Sequence, residues 1–145
     1  MPVALRVFNL VAAATFALFA WLQWNDIDPV IYADPSVPDA LGWAAFYAFV
    51  AVLFVLVLVR RLPRWVLFLG LALCVIQMGR TAPGFWENLT GDHPFTITQA
   101  GMSATDPRVE LSREFFGALI ALVGVAVVAF ENARVARVGG RRSSS

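Results

Sequence analysis

Long apolar stretches separated by short polar segments dominate this chain. Four of them are long enough to suggest helices, over about residues 5–24, 40–59, 63–79 and 112–132. A helix rises about 1.5 Å per residue and a bilayer core is about 30 Å thick, so about 20 apolar residues can cross it. None of the stretches alternates polar and apolar positions as a membrane β-strand or an amphipathic helix would. The pattern predicts an all-α, four-helix transmembrane bundle.

Two of the four stretches allow a second interpretation. The first could be a signal peptide, because Arg6 precedes an apolar run and small residues follow at 12–14. The apolar run continues to Trp24, however, and this favours a retained span. The third stretch is the shortest, and its alternative is a re-entrant segment. Arg64 and Arg80 flank it and can extend its reach by snorkelling in opposite directions.

The polar segments suggest one membrane domain, residues 1–136, followed by a flexible basic tail, residues 137–145. The Pro-rich loop 25–39 and the loop 80–106 both exit at the same membrane face, where we expect them to form a structured extracytoplasmic cap. The second loop contains a β-prone run at 95–98. Asp106 and Pro107 are typical of a helix N-cap and first helical position, so the fourth helix should begin there.

Arginine placement predicts the orientation of the bundle. The chain has 11 basic residues, all of them arginine. Four spans place eight arginines on one side and three on the other, and the positive-inside rule assigns the richer side to the cytoplasm. Both termini are therefore expected in the cytoplasm of a multi-pass protein of the plasma or inner membrane. The five tryptophans lie near span ends or in a loop, as in an aromatic belt.

Composition narrows the chemistry further. Apolar residues make up 59% and charged residues 14%, which is typical of a membrane protein and excludes disorder over most of the chain. A single cysteine, Cys74, and a single histidine, His93, leave no set of ligands for a haem, an Fe–S cluster or a structural zinc. A net charge of +1 gives no reason to expect nucleic acid. The expected partners are the lipid bilayer and, beyond it, a membrane protein or a second copy of the chain.

Polar side chains gather at the extracytoplasmic end of the predicted spans. Ionisable groups near hydrocarbon are costly and tend to be paired or functional. The candidate binding residues are Gln23, Asn25, Asp26, Asp28, Tyr47, Arg113 and Glu114.

Three hypotheses account for this cluster. It could be a structural network, for example Asp26 with Arg113, that fixes how the helices pack. It could bind a cation or a small polar ligand, with Asp26, Asp28 and Glu114 as candidate metal ligands. It could also be a catalytic carboxylate pair, although the residues indicate no substrate pocket, and no catalytic residue is assigned.

Two motifs in this cluster resemble those of a known family. The segment 23–29 reads Gln-x-Asn-Asp-x-Asp-Pro, and 110–120 reads Glu-x-x-Arg-Glu-x-x-Gly-x-x-Ile, with Trp43 and Tyr47 between them. With four spans, the chain resembles the transmembrane protein 220 family of small four-helix membrane proteins. Ile27 stands where the family pattern has a proline. The resemblance implies that Asn25, Asp26, Asp28, Arg113 and Glu114 belong to the family motifs, and it implies no particular activity.

Together these observations predict a small, non-enzymatic membrane scaffold or accessory subunit. Its extracytoplasmic polar cluster would recognise a partner or ligand. The alternatives are a protein that binds or transports a cation or small polar ligand, and a membrane enzyme that uses the same carboxylates.

Overall fold

Four long helices make up the fold. The computed structural model describes residues 2–30, 32, 34–92, 105 and 107–142, with the side chains of 107 and 135–142 left aside. The helices are α1 (Val3–Leu22), α2 (Val37–Val59), α3 (Arg64–Thr90) and α4 (Pro107–Arg142), and a short 3₁₀ helix, Gln23–Ile27, follows α1. The described residues contain no strand. All four helices are long and apolar enough to cross a membrane, which confirms the all-α fold with four transmembrane helices.

Local sequence sets the helix ends. Ser36 caps α2 by accepting a hydrogen bond from the Asp39 backbone N–H, and Pro38 occupies the first turn, where its missing N–H costs nothing. At the other end α2 stops at Arg60, which has extended backbone angles, and α3 starts directly after Pro63. The turn between α2 and α3 is therefore short and basic.

The helices pack as two pairs. Helix α1 packs against α2, and α3 packs against α4, while α2 and α4 make most of the contacts between the pairs. The centre of the bundle is aromatic, with Phe16 of α1 stacked on Phe54 of α2. Gly124 of α4 lets that Phe54 ring approach the α4 backbone closely. Helix α1 therefore reaches α4 mainly through side chains.

Polar contacts join the helices at the basic end of the bundle. The amide of Asn9 on α1 donates a hydrogen bond of 2.9 Å to Glu131 on α4, and both residues are buried. The neighbouring Asn132 accepts from the backbone N–H of Leu62 and donates to its carbonyl, at 2.8 and 3.1 Å. Buried amide and carboxyl groups thus connect α4 to α1 and to the α2–α3 turn.

Helix α3 corrects the predicted start of the second extracytoplasmic loop. We expected the loop to begin at Arg80, but the helix continues through Thr90. Its added turns pack on the start of α4, where Phe85 stacks on Phe115 and Asn88 donates to the Ser112 hydroxyl at 2.8 Å. This packing outweighs the helix-breaking tendency of Pro83, which lies inside α3.

Several predictions concern parts of the chain outside the described residues. His93, the β-prone run at 95–98 and the predicted N-cap Asp106 are among them, as is most of the predicted loop cap. At the C-terminus, α4 is helical through Arg142, where the sequence suggested a tail from residue 137.

Candidate functional site

A cleft of about 480 Å³ opens at the end of the bundle where α1 ends and α4 begins. It lies between α1 and α4, with α2 behind it, because α1 packs on α2 rather than along α4. Six of the seven candidate binding residues line it: Gln23, Asn25, Asp26, Tyr47, Arg113 and Glu114. The sequence therefore located residues that the fold brings together, although they come from three separate helical segments.

Asp28, the seventh candidate, is not among the residues that line the cleft. Its carboxylate accepts a hydrogen bond of 2.9 Å from the Val30 backbone N–H, and its carbonyl accepts from the N–H of Tyr32. Asp28 itself is exposed. It shapes the turn after the 3₁₀ helix, a common role for aspartate.

The floor of the cleft is aromatic. Tyr47 of α2 lines the cleft and stacks on Trp43 and on Phe16, which in turn stacks on Phe54 in the bundle centre. The Tyr47 hydroxyl lies over Gly117 of α4, so closely that a Cβ there would overlap it. The sequence placed Gly117 in the family-like motif at 110–120 and gave it no spatial role. Its spatial role depends on Tyr47, 70 residues earlier in the sequence.

Asp26 is the most deeply placed acid of the cleft, with 7% of its surface exposed. It lies on the 3₁₀ helix that follows Leu22, and this short helix packs against α2. The Tyr32 hydroxyl lies close to the Asp26 carboxyl group. No described residue donates to its second oxygen, Oδ2, which is also buried. An unsatisfied buried acceptor of this kind costs about 1–3 kcal/mol.

Tyr32 is a lining residue that the sequence analysis missed. It lies in the segment between the 3₁₀ helix and α2, and only 7% of it is exposed. Burial raises the pKa of its hydroxyl, and the negative charge of the nearby Asp26 carboxyl group raises the pKa further. An aromatic residue in an acidic, Pro-rich loop was the available signal.

A neighbouring cleft of about 430 Å³ shares Glu114 with the first. It is lined by Asp39 of α2, Arg80 of α3 and Glu110 of α4, among others. The Arg80 guanidinium donates to the Asp39 carboxylate and, at 2.9 Å, to Gln77 Oε1. The sequence placed Arg80 at the outer end of the third span, where it was expected to extend the reach of that span by snorkelling. It instead joins α2 to α3 beside the candidate site.

The arrangement of acids does not resemble a metal centre. The described residues contain no group of three or more His, Cys, Asp or Glu side chains placed to hold a metal ion. Of the candidate ligands, Asp26 and Glu114 line one cleft, whereas Asp28 is engaged in its turn.

One comparison with known proteins gives a result. The sequence profile of a family described as "Transmembrane family 220, helix" matches residues 15–130. The matched range includes every lining residue of the 480 Å³ cleft. No curated protein and no solved structure matches the chain.

Proposed function

Because the chain belongs to transmembrane family 220, as its motifs indicated, we propose a function built on the motif residues themselves. The protein binds a small molecule in the 480 Å³ cleft, henceforth the outer cleft. That molecule has an apolar body and a polar group that donates hydrogen bonds or carries a positive charge. The volume lies within the usual range of about 300–1,000 Å³ for small-molecule sites.

The buried Oδ2 of Asp26 carries this proposal. No described residue donates to it, so a donor group on a ligand would supply the hydrogen bond that the fold leaves unmade. Glu114, on the opposite wall, adds a second carboxyl group, while Arg113 is the one basic side chain among the described lining residues. This balance favours a cationic or neutral donor over an anion.

The walls indicate the nature of the rest of the ligand. Phe19 and Leu22 contribute the α1 side, and Phe116 and Ile120 the α4 side. Leu22, Phe116 and Ile120 are exposed, and all three lie on helices that cross the membrane. An apolar rim facing lipid suits a ligand that enters sideways from the bilayer.

The closed floor favours binding over transport. Tyr47, Phe16 and Phe54 form a continuous aromatic stack below the cleft. A site enclosed between helices also suits a small molecule better than a protein surface, so we prefer ligand recognition to the scaffold role suggested by sequence. We place this cleft on the extracytoplasmic side, with both termini in the cytoplasm, on the arginine distribution.

Thermal unfolding in detergent tests the proposal. Cys74 is the only cysteine and is fully buried, so a maleimide fluorophore reacts with it only as the protein unfolds. We expect phenethylammonium to raise the melting temperature, 2-phenylethanol to raise it less, and 3-phenylpropionate to leave it unchanged. A ligand at 100 times its Kd stabilises by about 2.7 kcal/mol.

Matched substitutions identify the site. Asp26→Asn should abolish the shift caused by phenethylammonium, because it removes the acceptor charge inside the outer cleft. Asp28→Asn changes the charge equally, keeps an oxygen for the Val30 N–H, and should leave the shift intact. An equal shift in wild type and Asp26→Asn, or none with any of the three probes, would refute the proposal.

A further inference from the structure

A second cavity, of about 310 Å³, lies at the opposite end of the bundle, between α3 and α4. Two arginines, Arg61 of the α2–α3 turn and Arg64 at the start of α3, line its polar side. Its apolar side follows α3 towards the bundle centre through Leu67, Phe68 and Leu71. None of the described residues that line it is acidic. The polar side of this cavity is therefore basic, whereas the outer cleft contains two carboxyl groups.

The fold holds the arginine-bearing turn in place. Leu62 lies between the two arginines, with 3% of its surface exposed. Both its backbone N–H and its carbonyl are hydrogen-bonded to the buried side chain of Asn132, which also lines the cavity. These two hydrogen bonds to one side chain fix the backbone path at Leu62. Arg61 and Arg64 therefore extend from an anchored turn rather than from a loose basic loop.

We propose that this cavity, henceforth the inner cavity, binds one anionic phospholipid from the surrounding bilayer. The Arg61 and Arg64 guanidinium groups bind the phosphate, whose oxygens match their planar array of donors. An acyl chain lies along Leu67, Phe68 and Leu71. Phe68 lines the inner cavity and is 69% exposed, as a side chain that contacts lipid would be.

Charge and shape together favour a phospholipid over a free phosphate ion as the ligand of the inner cavity. Inorganic phosphate would use the two arginines and leave the apolar side unfilled. A phospholipid uses both sides, and basic pockets between membrane helices are a recognised setting for anionic head groups. The proposal does not depend on what the outer cleft binds, because the two sites share no residue.

Lipid retention tests the proposal. The full chain is reconstituted in vesicles of equal parts phosphatidylcholine and phosphatidylglycerol and extracted in mild detergent, and the bound lipid is quantified by mass spectrometry. The double variant Arg61→Gln/Arg64→Gln should lower the retained ratio of phosphatidylglycerol to phosphatidylcholine by about thirtyfold, since each interfacial arginine contributes about 1 kcal/mol and about 1.4 kcal/mol is a factor of ten. Arg60→Gln, in the same turn but not among the lining residues, should retain the wild-type ratio.

A second variant tests the apolar side. Ala129 lines the inner cavity on α4, and Ala129→Phe would fill the space while both arginines remain. It should lower retention of both lipids, and added inorganic phosphate should neither displace lipid nor raise the melting temperature. Equal losses in Arg60→Gln and the double variant would show diffuse surface attraction and overturn the proposal. Unchanged retention in Ala129→Phe, or displacement by phosphate, would also overturn it.

Discussion

The hydroxyl of Tyr32 and the carboxyl group of Asp26 depend on one another. The hydroxyl lies close to a carboxyl group at the end of a membrane-spanning segment, and both residues are 7% exposed. The local sequence does not predict that these two side chains meet, because Tyr32 lies in an irregular connection and Asp26 lies in a 3₁₀ helix. The pair nevertheless positions the acid on which the proposed ligand binding rests.

This coupling gives a pH prediction for Tyr32. Its pKa is raised in the folded state, mainly by burial, above the ordinary value of about 10. The fold thus favours the protonated hydroxyl, and the resulting stability is complete below about pH 10 and declines as the pH rises beyond it. In a Tyr47→Phe background Tyr32 is the only tyrosine, so tyrosinate absorbance reports it alone. We expect little absorbance from the folded protein at about pH 11, where the unfolded chain is mostly ionised.

Asp26→Asn in the same background provides the control. It removes a negative charge next to Tyr32 while keeping the size of the side chain. The pKa of Tyr32 should then fall towards its ordinary value, although burial keeps it somewhat higher. Titration of folded Tyr32 at its ordinary pKa, with Asp26 intact, would contradict the described contact.

At the scale of helices, α2 and α4 meet where Tyr47 lies over Gly117. Gly117→Ala should lower stability by about 1–3 kcal/mol, because the added methyl overlaps the Tyr47 hydroxyl and forces the two helices apart. The measurement is the melting temperature followed through Cys74. Tyr47→Phe removes the overlapping oxygen, so the double variant should lose less than the sum of the single variants.

Another glycine serves as the matched comparison. A Cβ at Gly79 of α3 has no neighbouring atom within 4 Å. Gly79→Ala should therefore be neutral or stabilising by up to about 1 kcal/mol, the helix-propensity difference between the two residues. If both glycine substitutions had the same effect, the close approach of α2 to α4 would not be the cause.

Hydropathy predicted the four helices because crossing a bilayer requires a long apolar run, and such a run is visible without knowledge of neighbours. The end of α3 could not be predicted in this way. Pro83 and Gly84 suggested a loop, yet the helix persists to Thr90 through contacts of Phe85 and Asn88 with α4. Those contacts join residues more than 20 positions apart, beyond the range of any local pattern.

The candidate site, too, could be predicted only in part from the sequence. Span ends at one membrane face must lie near one another, so Asp26, Tyr47 and Glu114 could be grouped from topology alone. The turn that directs Asp28 away from the outer cleft and Tyr32 into it depends on backbone hydrogen bonds at Asp28 and Val30. Hydropathy and residue type carry no information about that geometry.

For the whole molecule, the two ends of the bundle have opposite chemistry. The outer cleft contains carboxyl groups from the 3₁₀ helix and α4, and the inner cavity contains arginines from the α2–α3 turn and the start of α3. The outer cleft lies between helices of different pairs, and the inner cavity lies between the two helices of one pair. From this polarity we expect the arginine-rich end to face the cytoplasm, as the positive-inside rule predicts.

Cysteine labelling tests that orientation. Cys74→Ser removes the only cysteine, and Asp92→Cys and Arg60→Cys each place a new thiol on an exposed residue beyond opposite ends of α3. On intact cells we expect a membrane-impermeant maleimide to label the residue 92 variant, and to label the residue 60 variant only after lysis. Helix α3 crosses the membrane between them, so labelling of both on intact cells would contradict the four-span arrangement. The reverse pattern would keep the spans but place the outer cleft in the cytoplasm, where its ligand would have to come from the inner leaflet.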